Sequence, residues 1–167
     1  MGKIAVIIPA WIVSEQILEL TKKCIDSLGD VDLYITDNGS PIGGGYLRSK
    51  ADVYIRNKEN LGWAKAVNQG LKLVSNKIIA IVNDDTRVSP NWQEVAREVL
   101  KDKEIYSCHF RMTDYNIPFE YGTKIHKGGK ERWCTSSFFV INTTDIKVFI
   151  DENYLNSYTD WDYWHTV

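Results

Sequence analysis

The sequence predicts an α/β protein: a three-layer α/β/α sandwich around a mostly parallel central sheet. Three observations carry that expectation. Short β-branched runs alternate with stretches of helical spacing, the pattern of strand–helix–strand units. One run, Ile78-Ile79-Ala80-Ile81-Val82, is apolar throughout and lacks the alternation of a half-exposed strand, so it reads as a strand buried on both faces. That run ends abruptly in Asn83-Asp84-Asp85-Thr86, which places two carboxylates at the end of a strand where open α/β sheets bind their ligands.

In chain order, Lys3 to Ile8 is the first buried strand, closed by Pro9. Ser14 caps a helix with Ile17, Thr21, Cys24, Ile25 and Leu28 on one face and Gly29 as its stop. Val31 to Thr36 is a second strand, ending in the turn cluster Asp37-Asn38-Gly39-Ser40-Pro41. Gly43-Gly44-Gly45 reads as a flexible connection to a short third strand, Ala51 to Arg56. Asn60-Leu61-Gly62 opens a second helix with Trp63, Ala66, Val67, Gly70, Leu71 and Val74 on its apolar face. Gly70 costs roughly 1 kcal/mol against Ala inside a helix, so it implies a close approach there. After the Ile78–Val82 strand, Ser89 and Pro90 start a third helix, to about Lys101, with Ser89 as N-cap. Glu104 to Phe110 is a strand. Arg111 to Arg132, with Pro118 and three glycines, is a loop or β-hairpin near the site. Trp133 to Asn142 is a strand again, Thr143 or Thr144 caps a short helix through Phe149, and Asp151 to Val167 is acidic, aromatic and partly helical.

The 167 residues suit one domain, with no linker or internal repeat. A net charge of −2 with interspersed signs argues against nucleic acid as a partner. Three distant cysteines, Cys24, Cys108 and Cys134, fit a reducing, cytoplasmic compartment better than a disulfide framework. The apolar stretch Ile4 to Val13 is interrupted by Pro9 and too short to span a bilayer; peripheral membrane contact stays open. Six tryptophans and nine tyrosines serve mainly as core.

In a parallel sheet the strand ends point one way, so Asp37 and the Asp84–Asp85 pair converge on one crevice. Adjacent carboxylates repel each other, and a cation relieves the repulsion. Mg²⁺ or Mn²⁺ takes one or two protein carboxylates and completes its shell with phosphate oxygens, so the arrangement suits a diphosphate ligand. A P-loop and a dinucleotide fingerprint are both absent.

Four blocks in order resemble the family-2 glycosyltransferases of GT-A fold, which have a Rossmann-like sheet. They are Val6-Ile7-Ile8-Pro9-Ala10-Trp11, Ile35-Thr36-Asp37-Asn38-Gly39-Ser40, the stretch from Asn60-Leu61-Gly62-Trp63 through Asn68-Gln69-Gly70, and Asn83-Asp84-Asp85-Thr86 as a variant Asp-x-Asp motif. The resemblance implies a metal-dependent enzyme of the polysaccharide-biosynthesis type. Such an enzyme moves a sugar from a nucleotide-sugar donor to a carbohydrate or other hydroxyl acceptor, with inversion. By position, Asp37 would bond the nucleobase, which favours UDP or dTDP donors. Pro9 and Trp11 would line the nucleotide pocket, with Asn38 and Asn68 among the donor contacts. Asn83 and Asp84 would meet ribose or sugar, and Asp85 would hold Mn²⁺ or Mg²⁺. Asn83 replaces the usual first Asp, which removes a charge and keeps an acceptor.

Asp151-Glu152 followed by Thr159-Asp160-Trp161-Asp162 resembles the family's Asp-Glu stretch and Glu-Asp-x-Asp motif, with Thr159 in place of Glu. Asp160 would then be the general base, and His165 a metal or phosphate ligand. The chain stops soon after Asp160, so the domain reads as C-terminally short. Arg56 and Lys65 could face phosphate, though the favoured reading is ordinary surface cations; His109 and His126 stay unassigned. Two other readings are a sugar-phosphate nucleotidyltransferase, which lacks its glycine-rich basic loop here, and a non-catalytic sugar- or nucleotide-sugar-binding domain of the same fold.

Overall fold

The structure is a computed structural model. It describes residues 2–102, 105–110, 121–126, 138–144, 150 and 152, with backbone alone for 105, 106, 109, 110 and 121–126. Its elements are β1 (Ala5–Ala10), α1 (Glu15–Ser27), β2 (Asp32–Asp37), α2 (Gly44–Lys50), β3 (Val53–Arg56), α3 (Trp63–Leu71), β4 (Ile78–Val82), α4 (Trp92–Val99), β5 (Ile105–Phe110), β6 (Tyr121–His126) and β7 (Phe138–Asn142). They form one seven-stranded sheet in the order β3-β2-β1-β4-β7-β5-β6. The first four strands are mutually parallel. β7 runs antiparallel to β4 and to β5, and β6 is antiparallel to β5.

Alternation along the strands builds two cores. From β1 and β4, Val6, Ile8, Ala80 and Val82 face Cys24, Ile25 and Leu28 of the α1 region, Leu47 of α2, and Trp92, Ala96 and Val99 of α4. Ile7, Ile79 and Ile81 face the other way, onto Ala64 and Val67 of α3 and onto Ile150. Each fully buried aliphatic side chain contributes about 1.5–3 kcal/mol, so both helical layers are needed to cover β4. This is the expected three-layer sandwich, with β4 buried on both faces. Trp92 is buried edge-on against Phe138 at 5.3 Å between ring centroids, and its indole N–H donates to the Leu28 carbonyl at 3.0 Å.

Several local expectations change. Pro9 does not close β1 but lies within it, opposite Thr36. The Ile4 and Ala10 carbonyls accept from Asp32 and Asn38, so even-numbered residues bond toward β2 and Pro9 faces the β4 side. β1–β4 pairing stops at Ile7, so the N–H that proline lacks is not needed there. The glycine run is not a loose linker, because Gly43 caps a short helix whose Leu47 is fully buried. Ser89 is not the α4 cap. Asn91 is, and the Ser89 carbonyl accepts the Trp92 N–H one turn earlier. Ser14 does cap α1, accepting from the Ile17 N–H. Gly70 does permit a close approach: a Cβ there would lie 2.7 Å from Ile7 Cγ2 on β1. Within 111–132, Tyr121–His126 is a strand that pairs with β5. The remaining residues of that stretch, Trp133 to Ser137, and the short helix expected through Phe149 lie outside the described residues.

Candidate functional site at the C-terminal edge of the parallel strands

β1, β2 and β4 end side by side, and the loop after β1 ties the other two ends together. The Trp11 N–H donates to Asp84 Oδ2 at 3.0 Å, and the Ile12 N–H donates to Ser40 Oγ at 2.9 Å. Asp37 and the Asp84–Asp85 pair therefore border one crevice, as parallel strand ends require. Trp11, in the loop that follows β1, is 48% exposed, and Pro9 in the strand is buried.

The Asp37 end is closed upon itself. Asp37 Oδ1 accepts from the Ser40 N–H at 2.8 Å; Oδ2 accepts from the Tyr54 hydroxyl at 2.6 Å and pairs with the Arg56 guanidinium. Arg56 also donates to the Ser40 carbonyl. Asp37 has no exposed surface, whereas the Arg56 side chain is about half exposed. Burial, reinforced by the Asp37 hydrogen bond, pushes the Tyr54 hydroxyl above its ordinary pKa. The expected direct contact between Asp37 and a base thus meets a carboxylate already occupied by three protein donors. Arg56, read as a surface cation that could face phosphate, is half exposed and paired with the buried Asp37. Two parallel neighbouring strands that end in Asp37 and Arg56 contained that signal, because parallel register sets these residues side by side.

Asn38, also expected among the donor contacts, uses its whole amide within the protein. It donates to Asn60 Oδ1 and the Gly62 carbonyl and accepts from Asn57 and the Leu61 N–H. This splint holds the loop before α3 against the β2 turn. Gly39 makes the contact possible: its φ is +80°, and a Cβ would lie 2.8 Å from the Glu59 backbone. Asn68, the other expected donor contact on α3, likewise spends its amide within the protein, on Ile150 and Glu152.

The other end is braced but open. The Asn83 carbonyl accepts from the Cys24 thiol of α1 and from the Thr86 N–H, and Ser27 Oγ accepts the Val88 N–H. Trp63 of α3 donates its indole N–H to Asn83 Oδ1 at 2.8 Å. Indole N–H only donates, so the amide oxygen must face it and the Asn83 NH₂ points elsewhere. Trp63, expected on the apolar face of its helix and within the third motif block, thus also braces the β4 turn. Burial raises the pKa of Asp84; the Trp11 N–H opposes this and the Asp85 charge adds to it. Asp85 is exposed and makes no hydrogen bond or ion pair with the described residues. One free carboxylate beside a half-engaged one fits a hard divalent ion that takes the rest of its shell from phosphate and water. Among the described residues no group of three or more His, Cys, Asp or Glu gathers to form a self-sufficient cage. Asp160 and His165 lie outside the described residues.

The sequence model described as Glycosyl transferase family 2 matches residues 5–155. No curated protein sequence matches. Among solved structures, S. aureus TarS 1-349 aligns over 98% of this chain and 54% of its own, at 15% identity and a TM-score of 0.68. The same protein in complex with UDP gives a TM-score of 0.69 at 16% identity. A mannosyltransferase, PcManGT from Pyrobaculum calidifontis, in complex with GDP-Man and Mn²⁺, aligns over 66% of this chain and 36% of its own, at 18% identity and a TM-score of 0.57. The chain thus spans about half the length of the TarS structures it matches. These likenesses establish a shared fold.

Proposed function

The chain belongs to glycosyl transferase family 2, and from that premise we propose that it moves a sugar from a nucleoside-diphosphate donor to an acceptor hydroxyl, with a divalent metal and inversion at the anomeric carbon. The observation that carries the reading is the contrast within the β4 turn. Asn83 and Asp84 are held by Trp63 and Trp11, and the Asp85 carboxylate is left exposed at the crevice. Neighbours of this fold that hold UDP, and GDP-Man with Mn²⁺, support it.

Asp85 is the proposed ligand of Mn²⁺ or Mg²⁺. Such an ion supplies charge stabilisation at the departing diphosphate. Trp11 and Pro9 line the nucleotide pocket. Asp37 serves the nucleobase end through Arg56: the buried carboxylate holds the guanidinium in place, and the half-exposed guanidinium meets a base carbonyl. A uracil or thymine imide suits that donor, so UDP and dTDP sugars are the favoured class. The freed NH₂ of Asn83 donates to a ribose or sugar oxygen. Asp160 takes the proton from the acceptor hydroxyl. The hydroxyl oxygen then bonds to the anomeric carbon as the bond from that carbon to the diphosphate oxygen breaks, and the electron pair leaves with the diphosphate. A general base must lie within hydrogen-bond reach of its proton. His165 is proposed as a further ligand of the metal or phosphate.

Two substitutions separate these roles. Asp85→Ala should abolish metal-dependent nucleotide binding. Asp160→Ala should leave that binding intact and stop transfer. Transfer at an undiminished rate in Asp160→Ala would remove Asp160 as the base.

A further inference from the structure

α2 opens on two consecutive glycines, Gly44 and Gly45. Neither has a positive φ, so the backbone there suits any residue, and glycine gives up helix propensity against alanine at both positions. Their surroundings differ. A Cβ on Gly45 would meet nothing within 4 Å. A Cβ on Gly44 would lie 2.7 Å from Arg56 Nη1, 3.2 Å from Asp37 Oδ2 and 3.4 Å from the Tyr54 hydroxyl. Non-bonded heavy atoms pack best at about 3.5–4.0 Å, so the guanidinium occupies the volume that a methyl on Gly44 would need.

Two acceptors hold Arg56 in that place. Its Nη1 pairs with Asp37 Oδ2, and its Nη2 donates to the Ser40 carbonyl at 2.9 Å. Asp37 cannot turn away, because it is fully buried and also accepts from the Ser40 N–H and the Tyr54 hydroxyl. The guanidinium carries more N–H donors than these two acceptors use, and the side chain is 48% exposed. Its planar fork is rigid, so the two bonds fix the direction of the donors that remain. A methyl on Gly44 would displace Nη1, the far end of a long side chain, and leave helix and strand backbone in place. What changes is the aim of the exposed donors. They can meet a carbonyl and not an amine, since a guanidinium has no acceptor. Uracil and thymine present O4 where cytosine presents its N4 amine.

We infer that Gly44 is a positioning residue for base selection: its missing side chain leaves the space in which the Arg56 guanidinium lies on Asp37, so that the exposed donors meet O4 of a keto pyrimidine and discriminate against cytosine. The inference rests on the glycosyltransferase reading above, in which Arg56 meets the base.

The test titrates UDP and CDP, each with Mn²⁺, into wild type, Gly44→Ala, Gly45→Ala, Arg56→Lys and the double variant Gly44→Ala/Arg56→Lys. Wild type should bind UDP about tenfold or more tighter than CDP. Gly44→Ala should lower UDP affinity about tenfold, the scale of a lost charged hydrogen bond, and change CDP affinity by less than about twofold. Gly45→Ala adds the same methyl to the same helix and should leave both affinities unchanged. Lysine ends one atom short of Nη1, so adding Gly44→Ala to Arg56→Lys should change UDP affinity by less than about twofold. If Gly44→Ala does not fold, the double variant carries the test: a folded double variant supports the inference, and an unfolded one overturns it. Wild-type UDP affinity in Gly44→Ala, an equal loss for UDP and CDP, or the same loss in Gly45→Ala overturns it while the glycosyltransferase reading stands. A full tenfold loss on adding Gly44→Ala to Arg56→Lys, or a wild type that binds CDP as tightly as UDP, has the same consequence. A wild type that binds neither nucleotide with Mn²⁺ overturns both.

Discussion

Asp37 and Asp85 are both acids at the ends of parallel strands, bordering one crevice, and their surroundings are opposite. Asp37 is sealed by Ser40, Tyr54 and Arg56. Asp85 is exposed and makes no hydrogen bond or ion pair with the described residues. A buried carboxylate is tolerated only when donors replace its water, so Asp37 has become part of the framework that shapes its turn. An exposed carboxylate beside another acid keeps its lone pairs for a ligand, at the cost of mutual repulsion. Two strand-end acids, both read from sequence as binding, thus divide into one sealed by protein donors and one left exposed.

The largest effect that tests this contrast is on stability. Asp37→Ala leaves the buried Ser40 N–H and the Tyr54 hydroxyl without their acceptor and should cost about 3 kcal/mol. In a chain of this size that lowers Tm by about 10 °C in a thermal melt. Trp63→Phe removes the donor that orients Asn83 and should cost about 1 kcal/mol, with UDP affinity in Mn²⁺ weakened several-fold in a titration. Asp85→Ala should change stability by less than about 0.5 kcal/mol, or raise it slightly by relieving repulsion with Asp84. Equal destabilisation by Asp37→Ala and Asp85→Ala would erase the distinction.

A pH effect sharpens the same picture from beneath the β4 turn. Burial pushes the Cys24 thiol up to about 12; the Asp84 and Asp85 charges add to this, and a hydrogen bond from the Thr86 backbone opposes it. The folded-state value lies above that of an ordinary thiol, about 8.5. The unfolded chain therefore sheds this proton first, and the contribution of Cys24 to stability is lost as pH rises from about 8.5 toward 12. At pH 8, iodoacetamide should leave Cys24 unmodified in the folded protein, with peptide mass spectrometry as the readout. Rapid alkylation would mean that the turn opens.

Much of this was legible in the sequence. The apolar runs fixed the strands, Ser14 marked the start of α1, and Gly70 signalled a close approach. The errors share one physical origin: short-range signals that tertiary pairing overrides. Pro9 stays in β1 because its nitrogen faces a side where β4 has already ended. The triple glycine forms α2 because Leu47 is drawn into the core. Site residues divide the same way. Asp84 and Asp85 stand out as adjacent charges. Trp11 bonding Asp84, Trp63 bonding Asn83 and Asn68 bonding Ile150 link positions far apart in the chain, which no local pattern marks. The Arg56–Asp37 pair was not legible, because an arginine at a strand end looks solvated until its neighbour strand is known.

In the proposed function the exposed acid, not the buried one, anchors a nucleoside diphosphate through a divalent ion. Isothermal titration of UDP into wild type and into Asp85→Ala, each with and without Mn²⁺, tests it most directly. UDP should bind the wild type tightly only with Mn²⁺, and Asp85→Ala should lose this metal dependence at an unchanged Tm. Metal-independent binding of equal strength in both proteins would contradict it.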